Sequence, residues 1–450
     1  MIVEFSTGNS YSFQPVQALP LQAAPIRSRY PGLDTENIFQ ISPGQSLLKS
    51  KAIYGANASG KSNLIKSLVA MLTIIRDCLK NEQVLEQQIR PFALRDDTLT
   101  QPSFFQIILV LDGTQYRYGF EATQYEIISE WLYAKPLDAV GQVRERKYFT
   151  REGMEVSVNE AHYKEGSRLL RMDPKTPPLY RDDTLFLAVV AAFNGPLTSQ
   201  ILAFFRQGIT VVSGLHDAGL QQHAIQAMQT ASFQEKVTTL LQAIDPTIQR
   251  LERVELDITA ETAHSDISAL LHQWQERGTK TGDIAVYRTQ YGTDDRKRGE
   301  APLLMSQQEA EGTKKLFALS PYIFSTLERG DLLVIDEFDA RMHPNLTRKV
   351  VELFHSSETN PRNAQLIFVT HDSNLLDAKL LRRDQISFAR KDNRGATELY
   401  SLAEFKGVRN DASFEKDYLL GRYDAVPVNL HLLEEAVETY VTRTHGAVQS

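Results

Sequence analysis

The sequence predicts an α/β fold built on a parallel sheet, and three observations predict it. Ser50–Tyr54 is a short, mostly apolar run that leads into a glycine-rich loop and then into a segment with helical periodicity. Two later apolar runs, Asp331–Glu337 and Gln365–Val369, are typical of buried strands, and ionisable side chains lie at or just after their ends. Functional groups in such sheets cluster at the carboxyl edge of the strands, where we expect a site.

Length, composition and charge limit the possible classes of protein. A chain of 450 residues can hold two or three domain-sized units, or one large domain with an insertion. The net charge of −7 argues against broad attraction to nucleic acid, although it leaves room for a local basic patch. No signal peptide and no run of eighteen apolar residues is present, so we expect no membrane segment. The single cysteine, Cys78, fits a small core residue and a reducing, cytoplasmic location.

The N-terminal half, residues 1–145, is predicted to be a β-rich lobe that leads into the first buried strand and its helix. Residues 1–54 contain short runs in which apolar and polar residues alternate, and prolines interrupt them. Phe104–Leu111 is strongly strand-like, Asp112-Gly113 is a hairpin signal, and Thr114–Glu121 is the predicted returning strand.

The loop after the first buried strand reads Gly55-Ala56-Asn57-Ala58-Ser59-Gly60-Lys61-Ser62, which is the G-x-x-x-x-G-K-[ST] pattern of nucleoside triphosphatases. Gly55 and Gly60 permit the backbone angles that let N–H groups, including those of Ala58 and Ser59, surround phosphate oxygens. Lys61 supplies positive charge for the β- and γ-phosphates, and the Ser62 hydroxyl is a ligand for Mg²⁺. A helix that begins near Gly60 directs its positive dipole end at the same phosphates. The flanking strand and helix disfavour a chance Gly/Ser-rich turn.

Residues 146–280 are predicted to form a mostly helical insertion between the two halves of the core. Leu185–Ala192, Gln221–Leu241 and Asp266–Trp274 have helical character, and no sustained heptad repeat indicates a coiled-coil arm. Residues 281–450 form the second half, which opens with a predicted strand at Ile284–Thr289. The basic trio Arg296-Lys297-Arg298 fits a solvated loop better than a nucleic-acid site.

Two further motifs carry the predicted chemistry of the second half. Asp336 and Glu337 end an apolar strand, where an Asp holds Mg²⁺ and an adjacent Glu can accept a proton from the attacking water. His371 follows the strand Gln365–Val369, where an imidazole can bind the γ-phosphate or orient the water. The predicted catalytic residues are therefore Lys61, Glu337 and His371, and the predicted metal ligands are Ser62 and Asp336.

This combination of motifs resembles the ABC-type ATPase heads of the SMC, Rad50 and RecF class. Asn57 and Asn63 are similar to that class's G-x-N-x-x-G-K-S-N spelling. The bacterial defence ATPases of the AAA_15 and AAA_21 type, in particular the RloA and AbiL abortive-infection proteins, are the most similar group. Three further stretches carry that likeness: Glu311–Leu316, Asp336–Asp339 with His343-Pro344, and Gly421–Pro427.

The resemblance implies head-to-tail dimers that hold ATP and Mg²⁺ between one copy's phosphate loop and the other copy's signature loop. The segment of this chain that is similar to the signature loop is Ala310–Lys314. The resemblance implies that Glu311, Gly312 and Thr313 act on the partner copy's nucleotide. Ala310 stands where that class usually has Ser, so one hydroxyl contact is missing. His343 takes the place of the Asp found in transporters. Gln101 and Gln106 are both candidates for a metal-sensing glutamine, and a solvent-facing strand glutamine is the alternative for each.

The sequence is compatible with three functions. The favoured one is an ATPase of a bacterial anti-phage system that senses infection and controls a partner toxin or nuclease encoded nearby. The alternatives are a RecF-like or SMC-like DNA-binding repair ATPase and a transporter motor. Past His371 we expect an edge strand at Gln385–Ala389, a strand at Glu398–Leu402 that pairs with it or with a neighbour, and a closing helix at Leu430–Tyr440. No D-x-D metal cluster follows the core, which counts against an intrinsic nuclease.

Overall fold

The structure is a computed structural model that describes residues 1–137, 144–170, 180–215, 217–255, 282–405 and 413–426. The chain divides into two compact units. The first contains residues 1–212, 329–338 and 348–450, and the second contains residues 213–328 and 339–347. The helices predicted at Asp266–Trp274 and Leu430–Tyr440 lie outside the described residues.

The strands follow one another along the chain in this order: β1 Ile2–Gly8, β2 Gln17–Pro20, β3 Ile38–Ser42, β4 Gln45–Leu48, β5 Ser50–Tyr54, β6 Ser103–Leu111, β7 Thr114–Ala122, β8 Ile127–Pro136, β9 Arg146–Glu152, β10 Glu155–Val158, β11 Ile209–Ser213, β12 Ile248–Glu255, β13 Gly282–Tyr291, β14 Lys297–Leu304, β15 Leu332–Asp336, β16 Gln365–Val369, β17 Ile386–Lys391 and β18 Thr397–Ser401.

The α-helices are α1 Leu33–Glu36, α2 Lys61–Asp77, α3 Val84–Gln88, α4 Lys164–Leu170, α5 Phe186–Ala192, α6 Pro196–Gln207, α7 Asp217–Ala227, α8 Ala231–Ile244, α9 Met305–Gln308, α10 Glu311–Arg329, α11 Pro344–His355 and α12 Phe414–Leu419.

The β-rich lobe of the first unit is a seven-stranded sheet in the order β10-β9-β8-β7-β6-β1-β2, and the paired strands run antiparallel. The predicted hairpin at Asp112-Gly113 is confirmed. Both residues have positive φ, +45° and +73°, as a two-residue turn that matches the strand twist requires. Strands β9 and β10 extend this sheet, so residues 146–280 contain strands beside the expected helices α4 to α8.

The second sheet of the first unit has the order β11-β15-β16-β5-β17-β18. Strands β15, β16, β5 and β17 are parallel neighbours, which confirms the predicted α/β class. Helix α2 buries its apolar face, including Leu64, Leu68 and Ile75, in the core of this unit. The prediction of an edge strand at Gln385–Ala389 is wrong, because β17 lies between β5 and β18 and its residues Ile386–Ala389 are buried.

The second unit contains the three-stranded sheet β12-β13-β14 and helices α7 to α10. Aromatic contacts pack α7 and α8 on α10, with ring centroids 4.9 Å apart for His223 and Tyr322 and 6.1 Å apart for Phe233 and Phe324. The buried Lys315 on α10 donates to the carbonyl of Gly214.

Within the described ranges, no single helix is long and apolar enough to cross a membrane. Helices α5 and α6, which are bent by 112° relative to each other, reach that length and apolar composition only when they are taken together.

Candidate nucleotide site

The glycine-rich loop predicted to bind phosphate connects β5 to α2 and is packed too closely for side chains at its two key glycines. A Cβ atom on Gly55 would lie 2.3 Å from the Ala389 carbonyl oxygen, because β17 runs beside the loop. Gly60 has φ +106°, and its Cβ would lie 2.1 Å from Oγ1 of Thr397. The motif requires both glycines for their backbone freedom, and close packing is a second reason for them.

A hydroxyl cluster from distant parts of the chain holds this loop in place. The Thr397 hydroxyl lies 2.9 Å from the Ser59 carbonyl and 2.7 Å from Oγ of Ser12, and the Thr397 backbone N–H donates to the Ser12 carbonyl at 2.7 Å. Asn63 Nδ2 also donates to Ser12 Oγ at 2.9 Å. The predicted contact residue Asn63 therefore positions the loop through Ser12, a role that the sequence did not indicate.

The polar groups of the loop fit a phosphate chain. Lys61 is 5 % exposed, and its ammonium donates to the carbonyls of Gly55 and Ala56, 2.7 and 2.8 Å away, so the loop curls around it. The Ser59 hydroxyl is buried and has no hydrogen-bond partner among the described residues. A buried polar atom without a partner costs free energy unless another group satisfies it, and a phosphate oxygen can.

Ser62 and Asp336 come together as predicted, although they are far apart in the sequence. Ser62 Oγ donates to Asp336 Oδ1 at 3.2 Å, which joins the start of α2 to the end of β15. A hydroxyl and a carboxylate oxygen are hard ligands that suit Mg²⁺, which completes its shell with phosphate oxygens and water. The described residues hold no group of three or more His, Cys, Asp or Glu side chains that could bind a metal alone. Two oxygen atoms from the chain fit a cation that takes its other ligands from a nucleotide and water.

Glu337 and His371 lie at the same edge of the sheet and line one cavity with the loop. The cavity has a volume of about 670 Å³ and is lined by Asn57, Ala58, Ser59, Gly60, Lys61, Ser62, Asn63, Glu337, Val369, His371 and Lys391. Glu337 has φ +53°, and the backbone N–H of buried Phe338 donates to the Val369 carbonyl at 2.9 Å. This hydrogen bond fixes the chain immediately after Glu337 on β16.

The His371 segment is tied to the start of the phosphate loop. Tyr54, the last residue of β5, donates its hydroxyl to the Asp372 carbonyl at 3.1 Å. The Asp372 backbone N–H donates to Oγ1 of Thr370 at 3.0 Å, which tightens the turn that carries His371. The loop, the paired acids and the histidine are therefore one arrangement at the carboxyl edge of β5, β15 and β16, where parallel sheets place their ligands.

A comparison with known protein families adds to this geometry. The family model described as "AAA domain, putative AbiEii toxin, Type IV TA system" matches residues 52–377. The chain belongs to this AAA_21 family. No curated protein matches the chain. The AAA_21 match supports an AAA-type P-loop ATPase, a class that binds ATP with Mg²⁺, and it links the chain to toxin–antitoxin systems. The finer prediction of an RloA or AbiL subtype stays a prediction.

Ala310–Lys314, the segment that resembles a signature loop, lies in the second unit of this AAA_21 protein, and Glu311 begins α10. Its Glu311 pairs with Lys314 at 2.9 Å and with Arg341 at 3.3 Å, and a Cβ on Gly312 would be 3.4 Å from the Arg341 carbonyl. Ala310–Lys314 and the loop after Glu337 are thus packed together within the second unit. His343, in that loop, accepts the Asn345 backbone N–H at Nδ1, 3.1 Å away, at the start of α11.

The remaining predicted features have other roles. Gln106 Oε1 accepts from Trp131 Nε1 at 3.2 Å and from Arg117 at 3.3 Å on the antiparallel sheet, and neither Gln101 nor Gln106 lines the cavity. In the basic trio, Arg296 and Arg298 both pair with Asp294, at 3.8 and 3.0 Å. Their charge is partly neutralised, which agrees with a solvated hairpin.

Proposed function

We propose that this protein is an ATP-hydrolysing switch of a bacterial anti-phage system, and that two copies close on ATP to control a partner toxin or nuclease. The observation that carries the ATPase part is that Ser62, Glu337 and His371 line the cavity of the phosphate loop, while Asp336 accepts a hydrogen bond from Ser62. The defence part is supported by the family description, which names a toxin–antitoxin system. The cytoplasm is the proposed location.

The roles of the residues follow from their positions. The loop N–H groups and Lys61 would bind the phosphates, and Asn57 and Ser59 would complete the wall around them. Ser62 and Asp336 would hold Mg²⁺, which neutralises charge on the β- and γ-phosphates when it is bound. Catalysis in this class consists mostly of positioning and charge stabilisation, so the built geometry of the loop is the main contribution of the chain.

Glu337 is the proposed general base. A water oxygen would attack the γ-phosphorus, the bond from that phosphorus to the bridging oxygen would break, and ADP would leave with the electron pair. The proton of the water would move to the Glu337 carboxylate and then to solvent or to the released phosphate. His371 would hydrogen-bond the γ-phosphate or orient the water.

Dimerisation would complete the site. The residues that line the cavity all belong to the first unit, whereas Glu311, Gly312 and Thr313 belong to the second. The N-terminus of α10 carries partial positive charge that favours a phosphate, and in the proposed dimer it would act on the other copy's nucleotide. The paired arginines of the basic trio give no support to the DNA-binding alternative.

The test is MgATP hydrolysis by the purified protein, two site variants and one control variant. Lys61→Ala should abolish hydrolysis, while Lys66→Ala, an exposed lysine on the same helix, should leave the rate unchanged. Glu337→Gln should lower kcat by about 10²- to 10⁴-fold, the usual contribution of a general base, and should leave ATP binding intact. Light scattering should then show Glu337→Gln as an ATP-dependent dimer.

Three outcomes would contradict the proposal at different levels. A wild-type rate in Glu337→Gln would remove the assignment of the base. A monomer at every ATP concentration would remove the dimer. Tight DNA binding whose affinity falls steeply with salt, without any co-purifying protein, would favour the repair alternative.

A further inference from the structure

Lys391 is a cation of the nucleotide cavity that no motif in the sequence indicates. It is the last residue of β17 and lines the cavity together with the phosphate loop, Glu337 and His371. Among the described residues that line this cavity, the side chains with a permanent positive charge are those of Lys61 and Lys391.

The pairing of β17 with β18 fixes the direction of the Lys391 side chain. Lys391 lies directly opposite Thr397 in this antiparallel pair, and residues in opposite positions place their side chains on the same face of a sheet. The Thr397 side chain contacts the phosphate loop, with its hydroxyl 2.9 Å from the Ser59 carbonyl. Thr397 is fully buried. Lys391 therefore lies on the face of the sheet that is turned toward the loop.

Lys391 differs from the neighbouring cation of the β17–β18 hairpin in its ion pairs. Arg390, on the opposite face, pairs with Glu398 at 2.9 Å and with Asp424 at 3.3 Å. Lys391 is exposed and has no ion-pair partner in the part of the chain that the structure describes. A cation that faces a phosphate cavity without a carboxylate partner is suited to an anionic ligand, because that ligand supplies the missing countercharge.

We propose that Lys391 is a second phosphate-binding cation, which contacts the phosphate chain of the nucleotide from β17 while Lys61 contacts it from within the loop. The inference rests on the proposed function, because it assumes that a nucleoside triphosphate occupies this cavity. Thr397 is its positioning residue, since it anchors the hairpin on the loop.

The test compares the binding of MgATP and MgADP to the full chain by calorimetry. Lys391→Ala should weaken MgATP binding about tenfold, the loss expected for one charge-assisted contact. Lys391→Arg should retain most of the affinity. Arg394→Ala is the matched control, because Arg394 is exposed in the turn of the same hairpin, carries the same charge and does not line the cavity. It should change the affinity less than twofold.

The outcomes separate this inference from the proposed function. If the wild type binds MgATP, Lys61→Ala loses it and Lys391→Ala matches Arg394→Ala, the Lys391 contact is refuted and the ATPase proposal stands. If the wild type takes up no nucleotide, the proposed function itself fails and the Lys391 contact fails with it. A loss with MgATP alone would place the contact at the γ-phosphate, whereas an equal loss with MgADP would place it at the inner phosphates. Unchanged thermal unfolding of Lys391→Ala would exclude a structural cause.

Discussion

Gly60→Ala is the substitution whose effect follows most directly from the packing of the loop. The new methyl carbon would lie 2.1 Å from Thr397 Oγ1 and 2.8 Å from Ser12 Oγ, in a backbone with φ +106°. The left-handed conformation costs about 1–2 kcal/mol for a non-glycine residue, and overpacking costs about 1–3 kcal/mol more. The combined cost is about 2–5 kcal/mol, which falls on the loop that would bind phosphate. We therefore expect MgATP affinity to fall by at least about tenfold.

Gly44→Ala separates backbone strain from the steric clash. Gly44 has φ +78°, and its Cβ would meet no atom within 4 Å, so the substitution should cost about 1–2 kcal/mol of stability and leave nucleotide affinity unchanged. Urea unfolding and MgATP titration of both variants measure the two quantities. Adding Thr397→Ala removes the atom nearest to the new methyl group, so the double variant should lose less than the sum of the single variants. Equal behaviour of Gly60→Ala and Gly44→Ala in both assays would refute the packing argument.

Three other predictions follow from the structure. Asp336→Asn should raise the Mg²⁺ concentration required for hydrolysis by about 10- to 100-fold, because it weakens the oxygen pair with Ser62; an unchanged Mg²⁺ titration would contradict this. Burial, and then the nearby charge of Lys49, lower the pKa of His355 to about 3. The unfolded state then binds a proton below about pH 6.5 that the folded state does not, so stability should fall as the pH drops from 6.5 toward 3, by at most about 1.4 kcal/mol per pH unit from this group. His355→Gln should show a shallower slope of the urea midpoint between pH 6.5 and 5. Burial raises the pKa of the Cys78 thiol to about 12, so the folded protein should resist maleimide at pH 7 and react in urea.

The parts of the fold that could be predicted from the sequence are those fixed by local patterns. Strand β5 was predicted with the bounds that the structure has, and α2 begins at Lys61 with its buried face as expected. The same holds for the turn at Asp112-Gly113, since two residues with positive φ are a local requirement. Short-range periodicity and turn chemistry are therefore sufficient to predict these three features.

Long-range pairing decided the features that could not be predicted. Strand β17 was expected at an edge because its short apolar run does not show which strands flank it. The actual neighbours, β5 and β18, bring Thr397 and Lys391 beside a loop more than 300 residues earlier in the chain. Isolated lysines and threonines are common in strands, so no sequence signal marked these two for the site.

The segment Ser413–Val426 makes further long-range contacts near the site. The centroid of the Tyr418 ring lies 5.6 Å from that of Tyr54 and 5.9 Å from that of Phe388, on which it stacks. Burial raises the pKa of Tyr418, and a hydrogen bond with the Gly55 backbone partly opposes that rise. Ser373, two residues after His371, donates to Glu415 at 2.8 Å. The segment therefore contacts both the start of the phosphate loop and the turn that carries the histidine.

The backbone at Glu337 helps to position the proposed base. A non-glycine residue with φ +53° is strained, and such strain persists only where the surroundings determine the conformation. Two anchors do so here: the Phe338 side chain is fully buried, and its backbone N–H is bonded to Val369. These contacts turn the chain at the end of β15, where Glu337 lines the cavity. The backbone therefore sets where the carboxylate of the proposed base lies.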